Sequence, residues 1–241
     1  CIEGFTNRCA TYDEIGFTRD GAGAELIVVP AHLHHVLEKR VSNESAALVE
    51  PAAVVYQGLL RIAPKDGAKV LVIGDGTIGL LAVTFLKSFS PASIDMFGTR
   101  PSQRDLAIHS GVSHFITDKD LLTKDYDYVI EAAGAIAAVE IALSQGKRGA
   151  HVLLLGYPEQ GATLPLGVHD LINNDLSIYA SFSYTQRSWK SVVDLLNSGE
   201  LDLSFIVTHR FPLTEWAAAL ETLRSASSGA RGKVLLTLND D

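Results

Sequence analysis

Gly74-Asp75-Gly76-Thr77-Ile78-Gly79 is where residue type and spacing in this chain point most directly to chemistry. Four apolar residues, Val70 to Ile73, run into it, and the helical apolar pattern Leu80, Leu81, Val83, Thr84 and Leu86 follows. A G-x-G-x-x-G spacing set between a buried strand and a helix start is suited to holding a diphosphate. Gly74 permits the tight turn, Gly76 lets a pyrophosphate approach the backbone, and Gly79 lets the helix pack closely on the strand. Thr77, Ile78 and Gly79 open that helix, whose free N–H groups and positive dipole end attract the diphosphate.

The next strand, Ser93-Ile-Asp-Met-Phe97, bears on which nucleotide is bound, because its C-terminal end should meet the ribose. An NAD site usually carries Asp or Glu there to accept hydrogen bonds from the 2′-hydroxyl. Here the strand ends in Gly98-Thr99-Arg100. Asp95 is a rival at roughly the expected spacing of 20 residues, but it lies mid-strand, on the wrong side of Met96 and Phe97 to reach the tip. With no carboxylate at the tip a 2′-phosphate is not repelled. Gly98 leaves room for it, Thr99 can donate a hydroxyl, and Arg100 offers a planar charged fork. These residues favour NADP over NAD. The alternative for Arg100 is a solvated surface arginine before Pro101.

The elements that must position these residues follow from periodicity. Candidate strands at 69–73, 93–97, 114–117, 127–132, 150–155 and 176–181 alternate with helices starting near Thr77, Ser102, Ala135 and His169. Strand–helix alternation implies a parallel sheet with right-handed crossovers, and six strands in two halves imply the doubly wound Rossmann α/β fold. A further helix is expected over Gln186 to Ser198, then a strand over Phe205 to Phe211, a helix over Thr214 to Ser225 capped by Thr214, and a closing strand over Lys233 to Leu238. Ser225 to Gly232 reads as a polar loop. Before the alternation begins, Ala24 to Pro30 reads as a strand stopped by proline. One long helix is expected over Glu44 to Ile62, capped by Ser42 or Asn43 and bent at Pro51.

Composition bounds the rest. At 241 residues and 47% hydrophobic, the chain can bury a large core. A net charge of −8 argues against nucleic acid and anionic membranes as partners. No apolar run is long enough to span a bilayer, since Asp75 and Lys87 interrupt the longest. No signal peptide is visible, which makes the cytoplasm the expected location. Met96 is the only methionine, so the chain reads as a fragment or processed piece of a longer protein.

With these residues placed, the chain resembles the medium-chain, zinc-dependent alcohol dehydrogenase family along essentially its whole length. Cys1-Ile-Glu-Gly-Phe-Thr-Asn-Arg-Cys9 is similar to the end of that family's structural zinc lobe, with Gly4 and Asn7 matching its interior pattern. Gly16 and the segment Asp20 to Pro30 resemble the lead into its GroES-like catalytic domain. Ala47-Leu-Val-Glu-Pro51 is similar to the Glu-Pro of the polyol, threonine and glucose dehydrogenase branches. Glu131-Ala-Ala-Gly134, Val152-Leu-Leu-Leu-Gly156 and Thr208 to Leu213 fit family segments in order and spacing. The resemblance implies three regions: part of a GroES-like β-rich catalytic domain (1–52), the dinucleotide-binding domain (53–199) and a return to the catalytic domain (200–241). It departs from the family in its metal ligands: only two cysteines, Cys1 and Cys9, match the structural lobe. The catalytic Cys and the Gly-His-Glu motif that hold the family's zinc do not occur in this sequence.

The resemblance also implies roles. Read alone, Cys1 and Cys9 are inert thiols, a disulfide or metal ligands; the resemblance implies ligands of a structural zinc, for which two cysteines alone do not suffice. Glu50 reads alone as a helix cap or a salt-bridge partner of Arg40 or Lys39. The resemblance implies that it approaches the catalytic zinc, directly or through water, and tunes what the metal binds. Ala133, Gly156 and Ser181 or Phe182 would line the nicotinamide with backbone. His32, His34 and His35 have no Cys or carboxylate partner at ligand spacing and read as surface residues. The implied activity is reversible oxidation of a secondary alcohol or polyol to a ketone with NADP, with zinc as Lewis acid. A homo-oligomer is expected, partly from the apolar segment Ser177 to Phe182. Two alternatives stand beside this: a zinc-free reductase of the same superfamily, and a truncated, non-catalytic NADP-binding chain.

Overall fold

A computed structural model describes residues 4–164, 167–225 and 229–238. Helix α1 (Asn43–Ala46) starts under Ser42, whose Oγ accepts from the Ser45 N–H at 3.1 Å. The chain breaks at Ala47 and Leu48, and α2 (Val49–Ile62) begins afresh. Pro51 therefore bends no helix. It sits third in α2, in the first turn, where no backbone N–H is required of it. The alternating elements follow: β1 (Lys69–Ile73), α3 (Thr77–Leu86), β2 (Ser93–Phe97), α4 (Arg104–Ser110), β3 (His114–Ile116), β4 (Tyr126–Glu131), α5 (Ile136–Gln145), β5 (Gly146–Leu154), α6 (Val168–Asn174) and β6 (Ser177–Ala180). Last come α7 (Gln186–Ser198), β7 (Val207–Pro212), α8 (Trp216–Arg224) and β8 (Lys233–Thr237).

Two compact units divide the chain. The second unit, Val54–Phe182, holds a six-stranded, all-parallel sheet in the order β3-β2-β1-β4-β5-β6, the doubly wound arrangement. The central strands β1, β2 and β4 are buried on both faces, which is why they read as near-continuous apolar runs rather than alternating ones. Leu71, Ile73, Phe97, Tyr126, Val129, Ala142 and Val152 form one packed cluster across β1, β2, β4, α5 and β5. Asp95 is part of this scaffold. Its carboxylate accepts from Tyr126 Oη at 2.9 Å and pairs with His114 Nδ1 at 2.8 Å. Burial, above all, pushes the Tyr126 hydroxyl up to about 12.

The first unit comprises Cys1–Ala53 with Ser183–Asp241. In it β7 and β8 pair in parallel, and α8 connects them. Ser45 Oγ ties α1 to the segment before β7, donating to Asp202 Oδ1 at 2.8 Å and accepting from the Leu203 N–H at 3.1 Å. Helix α7 carries a reciprocal capping box between Thr185 and Ser188. The second unit ends at Phe182, and α7 bonds to first-unit chain: Asn197 accepts from the Glu38 N–H at 2.8 Å and donates to the Val36 carbonyl at 3.0 Å.

Two further expectations are corrected. Residues 24–30 form no strand, and Leu26 and Val28 are 90% and 95% exposed. An apolar run becomes a strand only beside a partner that takes its backbone groups and packs its side chains. Thr214 is not the cap of α8 either. A 3₁₀ turn, Leu213–Glu215, intervenes, so the cap position falls on Glu215 and carries no side-chain hydrogen bond. No helix among the described residues is long and apolar enough to cross a membrane.

Candidate functional site

Register fixes where a ligand can sit in the second unit. Ile73 pairs with Phe97 on one side and Glu131 on the other, and Glu131 with Leu154, so the C-terminal ends of four strands share one edge. The strand order reverses between β1 and β4, and doubly wound sheets bind ligands in the crevice outside that edge. Gly74 leaves β1 at φ +112°, and a Cβ there would lie 2.9 Å from the Ala132 carbonyl carbon. A Cβ on Gly79 would penetrate the Gly74 carbonyl oxygen and lie 3.0 Å from its carbon, so α3 rests directly on the turn. Gly76 is different: a Cβ there meets nothing within 4 Å, and it caps α3 with no side-chain hydrogen bond. Thr77 and Ile78 continue from it into the first turn of α3. The helix thus presents uncapped N–H groups to open space, as an anion requires.

At the tip of β2 the structure shows something the motif did not. The room left by Gly98 is filled by Asp75: a Cβ on Gly98 would stand 2.6 Å from the Asp75 Cβ. Gly98 therefore accommodates Asp75 rather than leaving space for a phosphate. Asp75 is 6% exposed and its carboxylate faces Arg100. Arg100 donates to Oδ1 from Nη2 at 2.6 Å and from Nε at 3.1 Å, and its backbone N–H donates to Oδ2 at 3.2 Å. Gln103 Nε2 donates to the Asp75 carbonyl and fixes the backbone beneath. Arg100 is thus not a free surface arginine. Thr99 is exposed beside it.

Across the edge, Glu131 at the end of β4 is fully buried. Its Oε1 accepts from the N–H groups of Ala133 and Gly134 at 2.7 and 2.8 Å. Its Oε2 has no hydrogen-bond partner among the described residues. Burial pushes the carboxyl upward in pKa, and the neighbouring N–H groups, Gly134 first, pull against that. Gly156, after β5, packs so closely on this turn that a Cβ would lie 2.5 Å from the Gly134 Cα. The structure therefore brings Ala133 and Gly156 together through Glu131. Ser181 Oγ, after β6, is a second buried oxygen without a hydrogen-bond partner among the described residues. The glycine turn, the open cap of α3 and these unpaired oxygens along one edge fit a dinucleotide. Asp75 and Glu131 are the buried acids at this edge that sequence reasoning passed over. The available signals were an acidic residue between two turn glycines and a carboxylate ending a wholly apolar strand.

In the first unit, Glu50 lies in the first turn of α2 and forms no ion pair among the described residues. Its side chain reaches solvent, yet the protein packed around it, and then the Glu14 carboxylate, raise its pKa, while Lys233 opposes them. Tyr12 Oη donates to Glu14 Oε2, and Tyr184 Oη donates to Oε1 at 3.2 Å. Burial first, then the bond to Glu14, pushes Tyr12 up to about 12. Cys9 is a free thiol, lowered in pKa chiefly by the Thr11 hydroxyl 3.5 Å away. Cys1 lies outside the described residues. Among the described residues no three His, Cys, Asp or Glu side chains converge on a point that could hold a metal. These residues alone do not fit a zinc site; Cys9 and Glu50 can contribute only with further ligands. His34 bonds its own turn, and His35 stands 6.3 Å from the Trp189 ring.

Residues 77–198, half of the chain, match the family model described as zinc-binding dehydrogenase. The chain belongs to the zinc-binding dehydrogenase family. This agrees with the resemblance carried by the sequence segments and with the parallel sheet. The chain is 30% identical over 247 residues to an L-threonine 3-dehydrogenase of Proteus mirabilis (strain HI4320), covering 98% of this chain and 70% of the relative. To a sorbitol dehydrogenase of Bacillus subtilis (strain 168) it is 28% identical over 232 residues, covering 92% and 65%. Among solved structures, a cobalt- and zinc-bound thermostable alcohol dehydrogenase from Pyrobaculum aerophilum matches with a TM-score of 0.87 at 26% identity, covering 98% of this chain and 70% of that one. The chain thus spans about two thirds of the length of these dehydrogenases.

Proposed function

We propose that the protein containing this chain oxidises a secondary alcohol or polyol reversibly to a ketone, with NADP as hydride acceptor. One observation carries the reading: a glycine turn with an open helix cap stands beside a strand tip that ends in Gly98-Thr99-Arg100 and bears no carboxylate of its own. The N–H groups of Thr77 and Ile78 would hold the diphosphate, with Gly76 leaving the approach clear. Thr99 and Arg100 would meet the 2′-phosphate. Glu131 fixes the Ala133–Gly134 turn against Gly156, which supports that pair as the wall of the nicotinamide pocket. The sorbitol and threonine dehydrogenases among the relatives support a small hydroxylated substrate.

Zinc, when bound, would supply Lewis-acid polarisation of the alcohol oxygen. Cys1, Cys9 and Glu50 are the residues of this chain that the family resemblance assigns to metal. An exposed Ile178 on edge strand β6 and an exposed Phe182 support a homo-oligomer. The test is a panel of polyols and secondary alcohols offered to the full-length protein with NADP, alongside its metal content. Oxidation of at least one, by protein carrying zinc, is expected. Turnover of an enone or quinone alone, by protein without zinc, would replace this reading with the zinc-free reductase.

A further inference from the structure

We propose that Asp75 is a specificity-determining residue that withholds one edge of the Arg100 guanidinium from the 2′-phosphate and so moderates the preference for NADP. The inference rests on reading the β2 tip as the site of the ribose 2′ position. A ribose with a free 2′-hydroxyl calls for an acceptor, whereas one bearing a 2′-phosphate calls for a cation. The β2 tip holds both, in one salt bridge. Arg100 spends Nε and Nη2 on Asp75 Oδ1, at 3.1 and 2.6 Å, and Nη1 alone has no partner among the described residues. A phosphate would therefore meet a paired, formally neutral group with only Nη1 left uncommitted, rather than a free guanidinium able to bind it bidentately.

The pair is built in, not incidental. The Asp75 side chain is 8% exposed and that of Arg100 is 25% exposed, so water screens the contact weakly. The Arg100 backbone N–H bonds the same carboxylate, Gln103 holds the Asp75 carbonyl, and residue 98 has no Cβ to displace the acid. The acid arrives from the glycine turn rather than from the end of β2. That is why a search of the strand for an acidic tip does not find it.

The test measures binding of two probes that differ only by the 2′-phosphate, adenosine 2′,5′-bisphosphate and 5′-AMP, by titration calorimetry on the whole chain. Wild type should favour the bisphosphate modestly. Asp75→Asn keeps the size and an acceptor for Arg100 but removes the charge. It should raise that preference about tenfold, the worth of one hydrogen bond to a charged group, while 5′-AMP binding changes little. Arg100→Ala should abolish the preference, and adding Asp75→Asn to it should restore nothing. An Asp75→Asn preference equal to or below that of wild type overturns the proposal. So does a gain that survives in the double variant, since Asp75 would then not act through Arg100. Should Asp75→Asn fail to fold, Asp75→Ser serves with the same expected direction. If wild type shows no preference and Arg100→Ala changes nothing, the underlying 2′-phosphate reading fails and takes the proposal with it.

Discussion

Gly76 and Gly79 stand three residues apart in one turn, yet the structure gives them opposite work, and replacing each by alanine separates the two. At Gly79 a methyl group would enter the Gly74 carbonyl oxygen and lie 3.0 Å from its carbon. Both atoms are backbone in the tight turn, so neither can rotate away. Overpacking of this kind costs about 2–3 kcal/mol, against which the better helix propensity of alanine returns up to about 1 kcal/mol. A net loss of about 1–3 kcal/mol lowers Tm by about 2–12 °C in a chain of this size. At Gly76 the methyl meets nothing within 4 Å, and φ is −87°, which alanine adopts freely. Loss of a glycine cap costs less than about 1 kcal/mol, so Tm should fall by no more than about 4 °C. The same methyl projects into the space a diphosphate needs, and NADPH affinity should drop at least about tenfold. Thermal melts without ligand and NADPH fluorescence titrations measure both quantities. A Gly79→Ala variant as stable as wild type would refute the packing argument. Undiminished NADPH binding by Gly76→Ala would refute the assignment of the open cap to the diphosphate.

Other predictions follow from the same geometry. Tyr126→Phe removes the hydroxyl that bonds the buried Asp95 carboxylate and should cost about 1.5–3 kcal/mol by denaturant titration; no measurable loss would show that His114 alone satisfies that acid. Glu131 has a raised carboxyl pKa, so the folded state holds more protons than the unfolded state between 4.5, the ordinary value, and its raised one, and stability falls as pH rises through that window. Glu131→Gln keeps an acceptor for Ala133 and Gly134 but cannot ionise. Its Tm relative to wild type should climb with pH across the window and level off below it; a difference independent of pH would contradict the cause assigned to the shift.

Much of the second unit was legible in the sequence because its strands are short apolar runs and its turns are marked by glycine. Local pattern and final structure agree at β1, β2 and the start of α3 for that reason. The first unit was less legible. Residues 24–30 look like a strand only until a partner is required, and the break at Ala47–Leu48 leaves no mark in composition. Within the candidate site, Gly98 shows the limit most clearly. Sequence reveals that a side chain is absent there, but not that Asp75, 23 positions earlier, fills the space. Glu131 likewise stands in a recognisable segment, while its bonds to the Ala133 and Gly134 N–H groups emerge only from how the turn after β4 folds back on its carboxylate.

The measurement closest to the central claim is kcat/KM of the full-length protein for NADP and for NAD, with one oxidisable polyol held saturating and reduced nicotinamide followed by absorbance. The glycine turn and the Gly98-Thr99-Arg100 tip predict a higher value for NADP, and a rise in KM on Arg100→Ala much larger for NADP than for NAD. Equal or better turnover with NAD, unchanged by Arg100→Ala, would contradict it.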